Sequence, residues 1–97
     1  MESLELDHFA PHVGSVFRVE DGDGGPVELV LIEAEPIRPS PGAPRQDPFT
    51  LLFRGPRERY LPQRMYRIAH PELDELTLFL IPRLPDEEGS YFEAIFN

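Results

Sequence analysis

The sequence predicts an all-β domain of about six antiparallel strands, rolled into a small barrel or a strongly coiled sheet behind one short helical turn. Three observations carry that expectation. Apolar residues alternate with polar ones in six short segments, the period of a strand and not of a helix. Gly, Pro and Asp clusters punctuate the gaps between them, as turns require. Most segments also carry apolar residues on both faces for part of their length. A flat single sheet would leave one face wet, so a sheet closed on itself is expected to cover both. At 97 residues the chain suits one domain, residues 1–97, whose folding hides about two thirds of the extended chain's surface.

Taken in order, "LDHFAPHVG" reads as a brief helical turn that Asp7 caps and Gly14 stops. Pro11 forbids a long regular helix there, and Phe9 and Val13 are placed to plug one end of the barrel. "SVFRVE" sets Phe17 and Val19 against Arg18 and Glu20. "EDGDGGP" is a turn; Asp21 and Asp23 suggest calcium, but Gly25 and Ile32 stand where further oxygen ligands belong. "VELVLIEAE" puts Val27, Leu29 and Leu31 on one face. "FTLLF" aligns Phe49, Leu51 and Phe53, and "RMYRIA" points Tyr66 and Ile68 inward. "HPELD" makes a five-residue hairpin loop in which Asp74 takes a left-handed conformation. "ELTLFLIP" and "SYFEAIFN" complete the set, with Ile95 and Phe96 expected in the core. Pro26, Pro48, Pro62 and Pro82 fall at strand ends, where no ladder donor is needed.

"EPIRPSPGAPRQDP", residues 35–48, lies between two of these strands and holds five of the twelve prolines. Because the flanking strands need each other to form one sheet, it is a stiff surface loop and not a domain linker. Arg38, Pro41 and Pro44 match the spacing R-x-x-P-x-x-P of polyproline II ligands.

Composition narrows the function classes. The formal charge is −9, there is no cysteine, and all nine basic residues are arginine. An acidic chain is poorly suited to nucleic acid or to an anionic membrane surface. Residues 1–11 lack a basic-then-apolar leader, and the apolar runs are strand-sized. A cytoplasmic protein is expected on that ground, with membership of an exported assembly as the variant.

Catalytic patterns are weak. Ser3, Ser15, Ser40, Ser90, Thr50 and Thr77 occupy no strand-to-helix elbow. Glu33 and Glu93 sit in apolar strands, where burial would make them acid–base candidates. His8 and His12 are four apart and His70 could join them on zinc, but Pro11 breaks the helix that would present the pair. No catalytic residue, metal or cofactor is therefore expected.

The clearest charge feature is "RGPRERYLPQRMYR", residues 54–67, with five arginines and one glutamate in an otherwise acidic chain. Arginine interleaved with tyrosine favours protein interfaces. The expected contact surface comprises Arg54, Arg57, Arg59, Tyr60, Arg64 and Arg67, with Arg38, Pro41 and Pro44 as a second contact. The partner is another protein or a second copy, with no nucleic acid and no membrane.

"HFAPHVGSVFRV", "FTLLFRGP", "HPELDELTLFLIP" and "YFEAIFN" together resemble a small uncharacterised bacterial all-β domain family associated with phage-tail-collar-like proteins of the microcystin-dependent type. The resemblance implies a small β domain, accessory to a phage-tail-like or secreted appendage system, and carries no catalytic residue. A non-enzymatic structural or adaptor role is the leading expectation. A small-molecule-binding barrel, with or without hydrolytic activity, is the alternative.

Overall fold

Six strands close into one antiparallel barrel in a computed structural model that describes residues 4–20, 24–38, 41–42 and 47–96. The strands are β1 (Val16–Glu20), β2 (Val27–Pro36), β3 (Phe49–Gly55), β4 (Arg64–His70), β5 (Leu73–Pro82) and β6 (Ser90–Phe96). Their order around the wall is β1-β2-β3-β6-β5-β4. Two three-strand meanders thus face each other and join along β3–β6 and β1–β4. The first join is long, running from Phe49↔Phe96 to Gly55↔Ser90. The β5–β6 join is short, with only Ile81↔Glu93 and Pro82↔Phe92 in register.

Alternation supplies the core. Phe17 and Val19 of β1, Leu29 and Leu31 of β2, and Phe49, Leu51 and Phe53 of β3 are fully buried. Tyr66, Ile68, Leu78, Leu80, Phe92 and Ala94 fill the rest of the lumen. Phe17 meets Phe53 edge to face with ring centroids 5.4 Å apart, an arrangement that suits the aromatic quadrupole.

The barrel covers one face of its strands and not both. Val16, Met65, Phe79 and Ile95 point outward and stay 41–56% exposed. Ile95 was expected in the core; the lumen side of β6 belongs instead to Phe92 and Ala94, with Phe96 half-buried at its end. In β2 the register shifts between Leu31 and Glu33. Ile32 is the extra residue of this bulge, which returns Ala34 to the inner side opposite Leu51.

The N-terminal turn forms, with different punctuation. A short α1 (Leu6–Phe9) runs into a 3-10 turn at Ala10–His12. Its cap is Glu5, whose side chain accepts the His8 backbone N–H while His8 Nδ1 accepts the Glu5 backbone N–H. Asp7 lies inside the helix and does not cap it. Gly14 does end the turn, at φ +95°. Phe9 is fully buried against Phe49 and Phe96 and plugs one end of the barrel, whereas Val13 is 46% exposed.

Two loops also differ from expectation. β4 runs to His70 and β5 starts at Leu73, so the hairpin loop is only Pro71–Glu72 and Asp74 belongs to a strand. No described non-glycine residue has positive φ, so the expected left-handed Asp74 is not found. The proline-rich connection is shorter than residues 35–48, because Glu35↔Thr50 and Pro36↔Phe49 extend the β2–β3 ladder. Ile37 N–H then donates to Pro48 C=O at 3.0 Å and closes its base.

Candidate functional site

Each end of the barrel carries its own set of connections. The β1–β2, β3–β4 and β5–β6 connections share one end, here called the upper. The N-terminal turns, the β2–β3 connection and the β4–β5 hairpin share the lower.

The arginine-rich segment is mostly at the upper end. It is anchored by Leu61, fully buried in the middle of an exposed connection. The Ser90 hydroxyl donates to Arg57 C=O at 3.1 Å, and Arg59 donates to Gly25 C=O at 3.0 Å across to the β1–β2 connection. These ties leave the Arg57 side chain in solvent and Tyr60 71% exposed. Leu84, on the β5–β6 connection, is 89% exposed at the same end. A cation, a tyrosine and a leucine are thus exposed at one end of the barrel, and arginine and tyrosine are residue types enriched in protein contacts.

The other arginines do not join them into one patch. Arg54 is on β3 and Arg64 and Arg67 are on β4, with two strands between them in either direction around the wall. Arg54 lies 3.9 Å from Glu88. The Arg64 guanidinium sits 5.1 Å from the centroid of the Tyr66 ring. Arg67 makes a forked contact with Glu75 through Nε at 3.2 Å and an Nη at 2.8 Å. That hydrogen bond first, and the charge of Glu75 second, hold its guanidinium proton more firmly than usual. Arg38 and Pro41 are exposed at the lower end, so the expected second contact lies at the opposite pole from the first. Pro44 lies outside the described residues, as do Asp21 and Asp23 of the calcium reading.

The upper rim includes a carboxylate–phenol contact. Asp86 accepts the backbone N–H groups of Glu88 at 2.8 Å and Gly89 at 3.2 Å, and the Tyr91 hydroxyl at 2.9 Å. The Glu88 N–H foremost, then the phenol, hold the Asp86 carboxyl below its usual range. The same contact pushes the Tyr91 phenol up.

Glu33 is solvent-exposed, and Glu93 is half-buried and paired with Arg83 on the outer wall. Neither faces the lumen, which packed side chains occupy. Two surface hollows lie outside it. One, of about 290 Å³, is lined by Glu5, Leu6, Asp7, Ile37, Asp47 and Pro48 among others. The other, of about 410 Å³, lies over Val16, Arg18, Glu28, Ala69, His70 and Pro71.

A lower-end cluster joins His12 and His70, read with His8 as zinc candidates from the sequence, to Ser15 and Glu72, which the sequence did not connect with them. Ser15 Oγ is 2.9 Å from His70 Nε2 and donates to His12 C=O at 2.6 Å. His70 Nδ1 accepts the Glu72 backbone N–H at 3.0 Å. Those partners fix the tautomer: Nδ1 is bare, so Nε2 carries the proton and gives it to Ser15. This is the reverse of nucleophile activation, in which Nε2 must accept the hydroxyl proton. Ser15 and His70 are 55 residues apart, and only the closure of β1 on β4 brings them together. No local spacing could have announced them.

These features define a small antiparallel β-barrel with a packed lumen, whose distinctive groups lie at its two ends. The chain belongs to the family described as Domain of unknown function (DUF6916), whose model matches residues 4–96. No curated protein and no solved structure matches it. Among the described residues no helix is long and apolar enough to cross a membrane.

Proposed function

We propose that this domain is a non-enzymatic structural or adaptor module that works through protein–protein contacts at its upper end. The observation that carries the reading is that Arg57, Tyr60 and Leu84 are all exposed at the same end of the barrel, on connections pinned by Leu61, Ser90 and Gly25. Isolated apolar side chains are ordinary on a surface. Here two large ones and an arginine stand on a frame that has already lost its freedom, which lowers the entropy cost of docking. The resemblance to domains associated with phage-tail-collar-like proteins supports an accessory place in a phage-tail-like or secreted appendage system.

The partner is a different protein or a second copy, and the test separates them. Sedimentation velocity of the purified domain reads self-association, and capture of proteins from the source cell by the immobilised domain reads a foreign partner. The paired substitution Arg57→Glu with Tyr60→Ala is expected to abolish whichever contact exists while leaving the melting curve in place. An unchanged sedimentation profile together with an unchanged captured set would count against the reading.

A further inference from the structure

We propose that His12, His70 and Glu72 form a binding site for a divalent transition metal of the zinc class, linking the N-terminal turn to the β4–β5 hairpin. One ligand atom from each lies within 4.8 Å of the others. Imidazole nitrogen and carboxylate oxygen are the donors such an ion takes. The His12–Glu72 separation fits closely. Nδ1 and Oε2 are 3.4 Å apart, and two ligands on one tetrahedral zinc are separated by about 3.3–3.5 Å, given its bond lengths and angle.

The elements that carry the ligands are held in place. His12 ends the 3-10 turn, and the next residues are tied to β2 by Gly14 N–H to Leu31 C=O and Leu31 N–H to Ser15 C=O. His70 ends β4 and is 8% exposed, its ring packed on Phe17 at 4.6 Å and on His12 at 4.6 Å. Glu72 lies in the two-residue hairpin loop with its side chain in solvent, free to swing onto an ion. His8, the other member of the spaced histidine pair, is excluded because its Nδ1 caps α1.

His70 already uses both ring nitrogens, and this sets how it joins. It closes on the ion by giving up the Glu72 N–H at Nδ1 and keeping Nε2–H on Ser15. A metal-bound histidine ordinarily keeps its second N–H on an oxygen acceptor in this way. Three protein ligands leave a fourth position for water. Histidine must be unprotonated to bind, so loading weakens in acid.

The test is calorimetric titration of the metal-free full chain with Zn²⁺ near neutral pH, with Co²⁺ absorption reporting coordination geometry. His12→Ala and Glu72→Gln alter side chains outside the core, and circular dichroism checks that each variant folds. The expected result is one ion per chain, a tetrahedral Co²⁺ spectrum, and affinity lowered at least about tenfold in each variant. His8→Ala leaves affinity unchanged. No saturable binding up to about 1 mM, or binding that survives either substitution or depends on His8, would overturn the site.

Discussion

Phe49 and Phe96 stack with ring centroids 4.4 Å apart and planes 10° from parallel, joining the first residue of β3 to the last of β6. Phe9 leans on both from α1, at 6.0 and 5.7 Å. These three rings close the lower end of the barrel, where β5 and β6 have already parted. Truncating Phe9 to alanine is expected to cost about 3–5 kcal/mol, and Phe96→Ala somewhat less because it is half-buried. Deleting residues 94–97 removes Ala94 and Phe96 together and is expected to unfold a domain whose total stability is about 5–15 kcal/mol. Urea melts of the three variants check the order. A truncated chain that melts with the full-length protein would refute it.

Gly89 packs against Gly55 where the β5–β6 connection meets the end of β3. A Cβ on Gly89 would collide with the Gly55 carbonyl oxygen and press on the Arg54 stem. Backbone cannot yield as a flexible side chain can, so Gly89→Ala is expected to destabilise by about 1–3 kcal/mol. Gly55→Ala would meet the Leu29 side chain instead and is expected to cost less. Thermal denaturation of the two variants reads the difference.

The Asp86–Tyr91 contact predicts two pH limits. The Asp86 carboxyl is held below its ordinary value, so its stabilising effect is present above the unfolded value near 4 and is lost as pH falls through the folded one. The Tyr91 phenol is held above 10, so its part is present below 10 and is lost as pH rises through the folded value. Spectrophotometric titration of the tyrosines in the wild type and in Asp86→Asn should show one transition moving to lower pH in the variant; superimposable titration curves would contradict the assignment.

Ser15→Ala is expected to leave the His70 Nε2–H without an acceptor in a nearly buried position. That costs about 1–3 kcal/mol, whereas breaking the exposed, solvent-screened Arg67–Glu75 pair is expected to cost far less. Chemical denaturation of Ser15→Ala beside Arg67→Ala makes the comparison.

The barrel was legible because alternation is local: Phe17 and Val19, or Leu51 and Phe53, declare an inner face within a few residues. The β2 bulge was not legible, since the extra residue at Ile32 is apolar like its neighbours and only the partner strand reveals the shift. The β4–β5 turn was misread because "HPELD" was taken whole as a loop, yet His70 ends one strand and Leu73 and Asp74 begin the next, where an outer-wall side chain such as Asp74 faces water. The arginine segment was visible as a run. Its division between a rigid upper connection and two distant strands follows from strand order, which no single segment encodes. The Ser15–His70–Glu72 contacts were invisible for the same reason.

The central claim is that the upper end meets another protein, and a photo-crosslinking residue placed at Tyr60 in cells tests it most directly. The control carries the same residue at Glu33, exposed on the outer wall of β2. A discrete adduct that forms from position 60, not from position 33, and disappears with Arg57→Glu is the predicted result. Position 60 yielding no adduct, or the same adducts as position 33, would contradict the account.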